Sequence, residues 1–152
     1  MKKILAVCAF FLIFILGACK FTYAETMDIG GLVDNFYKAT DLQRDQILKD
    51  NLSKEVSAAG KVNNVGEYDL FDTTNDRKGT YYQITTEPQK TKNNVVYQLI
   101  FLFKDKAKAK DIDKGEDLQK DGKIIRIIDE RLQISLWIFC GELAENDKAL
   151  IK

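Results

Sequence analysis

The stretch Val56-Ser-Ala-Ala-Gly60-Lys-Val-Asn-Asn-Val-Gly66-Glu-Tyr-Asp-Leu-Phe71 decides the fold. Its length and its branched and aromatic residues predict a long β-strand. Gly60, Gly66 and the Asn63-Asn64 pair interrupt the strand pattern, and such interruptions let a strand bend and twist. We expect a kink at Gly60, so that this first strand pairs with two different neighbours and helps to close a small barrel.

Four more strands are predicted downstream, at residues 80–86, 95–103, 122–128 and 132–143. Residues 95–103 are apolar on both faces, which indicates a central strand that is covered on both sides. In the last strand, one alternating set is predicted to face the barrel interior: Ile134, Leu136, Ile138 and Cys140.

Two helices are predicted before the first strand. Five apolar residues recur at helical spacing, namely Ile29, Leu32, Val33, Phe36 and Tyr37. Residues 40–43 then form a capping-box pattern that starts a second, shorter helix. The apolar stripe could bind a membrane or a partner, but we favour packing on its own domain. Since Trp137 and Phe139 should point outward from the last strand, we expect the first helix to cover Trp137.

Residues 1–18 have the pattern of a bacterial secretory signal, because Lys2 and Lys3 precede an apolar run too short to span a membrane comfortably. Two processing routes remain open. Residues 16–19, Leu-Gly-Ala-Cys, resemble a lipobox, which would make Cys19 the acylated first residue. Residues 22–24 would instead suit ordinary signal peptidase, with cleavage after Ala24 and a soluble periplasmic product.

The residue after Cys19 carries further information about location. It is Lys20 rather than aspartate. By resemblance to Gram-negative lipoproteins, this implies the periplasmic face of the outer membrane. We therefore expect a membrane partner through a lipid anchor at Cys19.

Composition excludes several classes of site. Lys+Arg and Asp+Glu are both 23, and loss of Lys2 and Lys3 leaves 21 basic against 23 acidic residues, a net charge of −2. Strong non-specific nucleic-acid binding is therefore not expected. The chain has no histidine, so the commonest general base and metal ligand is missing. Cys140 is expected to be a buried, inert thiol. We predict no catalytic residues, no cofactor and no metal site.

Short motifs point to a known family. They are Gly60-Lys61-Val62 followed by Val65, Lys114-Gly115-Glu116-Asp117, and Gly122-Lys123-Ile124 followed by Ile127. The order of these motifs resembles that in small exported bacterial OB-fold proteins of the tRNA-anticodon-binding-like group. Residues 40–44 resemble the helical lead-in of such proteins. The resemblance covers residues 40–143. It implies a mostly β fold, a five-stranded OB-fold barrel preceded by one or two N-terminal helices.

An OB-fold binds ligands along its second and third strands and on the loops after the first and fourth strands. On this chain that surface would offer six side chains, which are Arg77, Lys78, Tyr81, Gln83, Gln98 and Arg131. Aromatic stacking and a few cations could hold a single strand or a sugar.

The predicted organisation is a signal at 1–18 (alternatively 1–24), a helical lead-in at 25–52, the barrel at 53–144 and a polar, frayed tail at 145–152. We expect a non-enzymatic envelope lipoprotein. Its leading role would be to bind a protein partner in the periplasm. The alternative is a binder of single-stranded oligonucleotide or oligosaccharide.

Overall fold

The computed structural model describes residues 27–71 and 77–151 of the chain. Within them, two α-helices precede six β-strands. They are α1 (Ile29–Lys38), α2 (Asp41–Asn51), β1 (Glu55–Phe71), β2 (Arg77–Thr86), β3 (Gln89–Lys90), β4 (Val96–Phe103), β5 (Asp117–Asp129) and β6 (Ile134–Phe139). Two short 3-10 helices, Lys106–Lys108 and Glu145–Leu150, follow β4 and β6.

Five of the strands form a closed ring of pairings. β1 pairs antiparallel with both β2 and β5, and β5 pairs antiparallel with β6. β6 runs parallel to β4, and β4 pairs antiparallel with β2, which completes the ring. The short β3 adds to the edge of β4. This is the topology of an OB-fold, and the predicted mostly β fold with two preceding helices is confirmed.

The long first strand changes its pairing partner at a bulge rather than at Gly60. Residues 55–61 pair with β5, whereas pairing with β2 begins at Val62, and the register shifts between Val62 and Asn64. The bulge at Asn63 therefore divides the strand between its two neighbours. Gly60 itself lies in regular register opposite Leu118, so the kink predicted at this glycine stays a prediction.

Several predicted strand boundaries also move, among them the start of β2, which lies at Arg77 rather than at residue 80. β5 begins at Asp117 rather than at residue 122, because its first residues pair with the first half of β1. β6 ends at Phe139 rather than at residue 143. Gly141 follows with φ of 150°, a conformation that turns the chain away from the sheet and that glycine adopts readily.

The main core fills the barrel and continues beneath α1. Strand residues such as Ile84, Leu99, Phe101, Leu136 and Ile138 are almost completely buried in it. Leu32, Val33 and Phe36 of α1 join the same cluster, and Ile47 and Leu48 of α2 pack against it. The predicted packing of the first helix on its own domain is confirmed. Among the described residues, no helix is long and apolar enough to cross a membrane.

A second apolar cluster lies on the outer side of the barrel. Its buried members are Leu70, Tyr81, Leu102, Ile125, Phe139 and Leu150, and Tyr68, Trp137, Leu143 and Ile151 pack against them. The C-terminal 3-10 helix therefore covers this face, and the prediction that α1 covers Trp137 is wrong. Residues 145–151 of the segment expected to be frayed are folded, because the side chains of Leu150 and Ile151 pack into this cluster.

Candidate ligand-binding cleft

Tyr81 does not belong to an accessible binding surface. It points outward from β2 as its alternation predicts, but only 3% of it is exposed. Its hydroxyl donates a hydrogen bond of 2.7 Å to Oδ1 of Asp147 in the C-terminal 3-10 helix. Burial, reinforced by that carboxylate, raises the pKa of the Tyr81 hydroxyl well above its ordinary value. The prediction that Tyr81 is free to stack on a ligand is wrong.

The two predicted glutamines are also partly withdrawn from solvent. Gln83 is half-buried on β2. The side-chain amide of Gln98 donates to the carbonyl of Thr86 at 2.6 Å, and its oxygen accepts from Nε2 of Gln133 at 3.3 Å. Gln98 thus joins neighbouring strands. The side chains of Arg77 and Lys78 and the whole of Cys19 lie outside the described residues, so their predicted roles stay predictions.

Arg131 is the predicted site residue that the structure places at a cleft. The cleft has a volume of about 200 Å³ and lies where the turn between β5 and β6 meets the loop before β4 and the end of α1. Its lining comprises Tyr37, Asn93, Asn94, Val95, Val96, Asp129, Arg131, Leu132, Gln133 and Ile134. Tyr37 and Leu132 are 55% and 90% exposed. The cleft therefore combines aromatic, aliphatic, amide and guanidinium groups.

One side of the cleft is fixed by Arg44 of α2. Its Nη1 forms an ion pair with Asp129 at 3.1 Å, and its other nitrogens donate to the carbonyls of Phe36 and Tyr37 at 3.1 and 3.3 Å. The guanidinium also lies over the ring of Phe36, 5.2 Å from its centre. Arg44 thereby ties both helices to the end of β5 and satisfies the last carbonyls of α1.

The opposite side is fixed by Asp34 of α1. This carboxylate is 8% exposed and accepts hydrogen bonds from the hydroxyl of Thr91 and from Nδ2 of Asn93, the latter at 2.6 Å. The Thr91 hydroxyl in turn accepts from the N–H groups of Asn93 and Val95, both at 3.2 Å. A buried, fully engaged acid therefore holds the loop that presents Asn94 to the cleft.

Two residues at the cleft have left-handed backbone conformations. Asn94 has φ of 61° and Arg131 has φ of 69°. Asparagine tolerates this region, but arginine adopts it less often. The Arg131 N–H donates to Oδ1 of Asp129 at 3.1 Å, which stabilises the turn. The guanidinium of Arg131 makes no ion pair within residues 27–71 and 77–151 and remains available to a ligand.

Sequence reasoning assigned Tyr37 to the buried stripe of α1 and did not select Asn94. Tyr37 lies at the edge of that stripe and near the end of the helix, where the buried apolar face ends. For Asn94, the Asn93-Asn94 pair between two predicted strands was a signal, because asparagine is favoured at left-handed turn positions.

The described residues contain no group of three histidine, cysteine, aspartate or glutamate side chains placed to hold a metal ion. Cys140 is half-buried against the main core. Burial raises the pKa of its thiol to about 12, and a thiol in that state is a poor nucleophile.

No protein-family model matches the chain, and no curated protein matches it. A solved structure of a proposed nucleic acid-binding lipoprotein from Klebsiella pneumoniae subsp. pneumoniae is 14% identical, with a TM-score of 0.46 over 74% of this chain and 87% of that one. A mitochondrial single-stranded DNA-binding protein from S. cerevisiae is 10% identical, with a TM-score of 0.35 over 57% and 87% of the two chains.

Proposed function

We propose that this protein is a non-enzymatic binding module of the bacterial envelope that holds an oligosaccharide at the cleft beside Arg131. The observation that carries the proposal is the cleft itself, at the turn between the last two barrel strands. OB-folds use this turn to bind oligonucleotides and oligosaccharides. The six side chains predicted from the sequence include Arg131, which remains the residue on which the proposed site is centred.

The chemistry of the cleft suits a sugar ring. The exposed ring of Tyr37 and the side chain of Leu132 supply apolar surface at the rim. Asn94 and Arg131 supply hydrogen-bond donors that could reach hydroxyl groups. The lining is divided between apolar side chains, such as Val96 and Leu132, and polar ones, which matches a ligand that carries both a ring face and hydroxyl groups.

The charges of the cleft favour an uncharged ligand over a polyphosphate. Asp129 is neutralised by Arg44, which leaves Arg131 as the uncompensated cation among the described lining residues. Nucleic-acid affinity rises with the number of phosphates that cations neutralise. One guanidinium in a domain of net charge −2 provides little of this attraction.

Titration with neutral tetrasaccharides such as chitotetraose, at low salt, tests the proposal. Arg131→Asn should weaken binding roughly tenfold, because it removes about 1.4 kcal/mol of interaction. Asparagine suits the left-handed backbone at this position, so the turn should persist. Tyr37→Ala should weaken binding by a similar factor. Isothermal titration calorimetry measures each affinity.

Lys38→Ala is the matched control, because Lys38 is exposed beside Tyr37 but does not line the cleft. It should bind as the wild type does. An oligothymidine of about 12 nucleotides, within the usual site size of an OB-fold, provides the competing ligand. Tighter binding of the oligothymidine than of every sugar tested would show that the proposed ligand class is wrong.

The envelope location is proposed from the sequence at Cys19, which lies outside the described residues. The Leu-Gly-Ala-Cys box follows directly on an apolar run, so Cys19→Ser should leave the protein unprocessed or release it from the membrane. Fractionation and mass spectrometry of the mature N-terminus measure this. A wild-type protein that begins at Glu25 would contradict lipidation.

A further inference from the structure

The groove beneath the C-terminal segment differs in character from the cleft beside Arg131. We call it the tail groove, and its walls are Tyr68, Tyr81, Trp137, Lys104 and Arg126. The rings of Tyr68 and Trp137 meet edge to face with centres 5.3 Å apart, and Arg126 lies 5.5 Å from the centre of the Trp137 ring. Aromatic rings with flanking cations are suited to an extended anionic chain.

A segment of the same chain already occupies this groove. The tail, residues 144–151, places the fully buried carboxylate of Asp147 against the Tyr81 hydroxyl and within 3.2 Å of Nζ of Lys104. Leu150 inserts into the apolar floor with 1% exposure, and its carbonyl accepts from Nε of Arg126 at 3.3 Å. The tail thus binds through a carboxylate and, three residues later, a large aliphatic side chain.

The carboxylate of Asp147 is bound in its charged form. Burial alone would raise its pKa, but hydrogen bonds from Tyr81, from the Ala144 N–H at 2.9 Å and from Lys104 outweigh burial and lower the pKa. The groove therefore provides two donors to this carboxylate, Tyr81 and Lys104, and the tail's own Ala144 N–H provides a third. Such a binding site is specific for a carboxylate or another compact anion.

The tail does not satisfy every donor of the groove. Nε1 of Trp137 is buried and finds no acceptor within the described residues. A buried N–H without a partner costs free energy. A peptide that keeps the contacts of Asp147 and Leu150 and adds an acceptor for the indole would therefore fit the groove better than the tail does.

From these contacts we propose that the tail groove is a docking site for a carboxylate-bearing peptide of a partner protein, and that the tail occupies the site until the partner displaces it. The partner segment carries a carboxylate three residues before a large aliphatic side chain, as Asp147 and Leu150 do. Lys104 and Arg126 supply the complementary charge. This site is separate from the Arg131 cleft, so a result that contradicts one proposal does not contradict the other.

The test uses the whole protein with Asp147→Ala and Leu150→Ala, which together loosen its own tail. A labelled peptide of residues 144–152 serves as the probe, and fluorescence anisotropy measures its binding. The double variant should bind the peptide roughly tenfold or more tightly than the wild type, because a tethered tail competes at a millimolar effective concentration. Emission from Trp137 should shift to the red in the variant and return to the blue when the peptide binds.

Two control peptides distinguish specific recognition of the Asp147 carboxylate from non-specific peptide binding. The Asp147→Asn peptide should bind several-fold more weakly. The Lys148→Ala peptide should bind normally, since the Lys148 side chain is largely exposed and forms its ion pair with Glu145 of the same segment. If circular dichroism shows that the double variant is unfolded, the single variant Asp147→Asn replaces it. The same peptide affinities are then compared with those of the wild type.

Equal affinity of wild type and variant for the peptide, or binding to neither, would overturn the proposal. Displacement of the peptide by oligothymidine at low salt, with tighter binding of the oligonucleotide, would also overturn it. That second result would assign the groove to nucleic acid.

Discussion

Gly60→Val should destabilise the barrel by about 2 to 3 kcal/mol, the usual cost of forcing extra volume into a packed site. A Cβ atom at this position would lie 2.7 Å from Cγ2 and 3.0 Å from Cβ of Thr86. Thr86 is fully buried and β-branched, so it cannot rotate away without strain. The thermal midpoint should fall by roughly 10 °C, measured by circular dichroism.

Gly66→Val is the matched control on the same strand. A Cβ atom there would meet Nδ2 of Asn64 at 3.8 Å as its nearest neighbour, which is an ordinary contact. Its midpoint should stay close to that of the wild type. Equal losses in the two variants would show that strand propensity, rather than close approach to Thr86, determines the requirement for glycine.

Asp34→Ala should lower the free energy of unfolding by about 2 kcal/mol, because hydrogen bonds to a buried charged group are lost. The hydroxyl of Thr91 and the amide of Asn93 would each lose their acceptor on α1. Urea unfolding measures the stability. The loop that carries Asn94 should also loosen, so affinity for the sugar should fall with it.

Asn35→Ala tests whether helix α1 itself is sensitive at this point. Asn35 is the next residue along α1 and is exposed, so its replacement should change stability little. Asp34→Asn keeps the shape of the side chain but removes its charge, and we expect an intermediate loss. If Asp34→Ala unfolds at the same urea concentration as the wild type, the buried acid does not hold the loop.

Local patterns predicted the parts of the fold that depend on neighbouring residues. Alternation along β6 correctly assigned Leu136 and Ile138 to the barrel interior. Residues 99–103 of β4 are buried on both faces, as its two apolar faces predicted. The capping box was also correct, since the side chain of Gln43 accepts from the Thr40 N–H at 2.9 Å. Each of these features is determined within a few residues of sequence.

The misassigned features depend on contacts between distant parts of the chain. Tyr81 was correctly placed on the outer face, but its partner Asp147 lies 66 residues away. The apolar residues of the tail, such as Leu150, are separated by charged ones, so no periodic pattern marked that segment as a cover. The cleft beside Arg131 likewise joins α1 to two loops that are far apart in sequence.

The ring of strand pairings also determines when the fold can be completed. β6 lies between β4 and β5, so a chain that has emerged only as far as residue 129 leaves an edge of each strand unpaired. Unpaired edges invite association with other chains. The second apolar cluster can be completed only later, after Leu150 has emerged. A chain that crosses a membrane in an extended state would therefore remain vulnerable to aggregation until nearly its whole length had passed through.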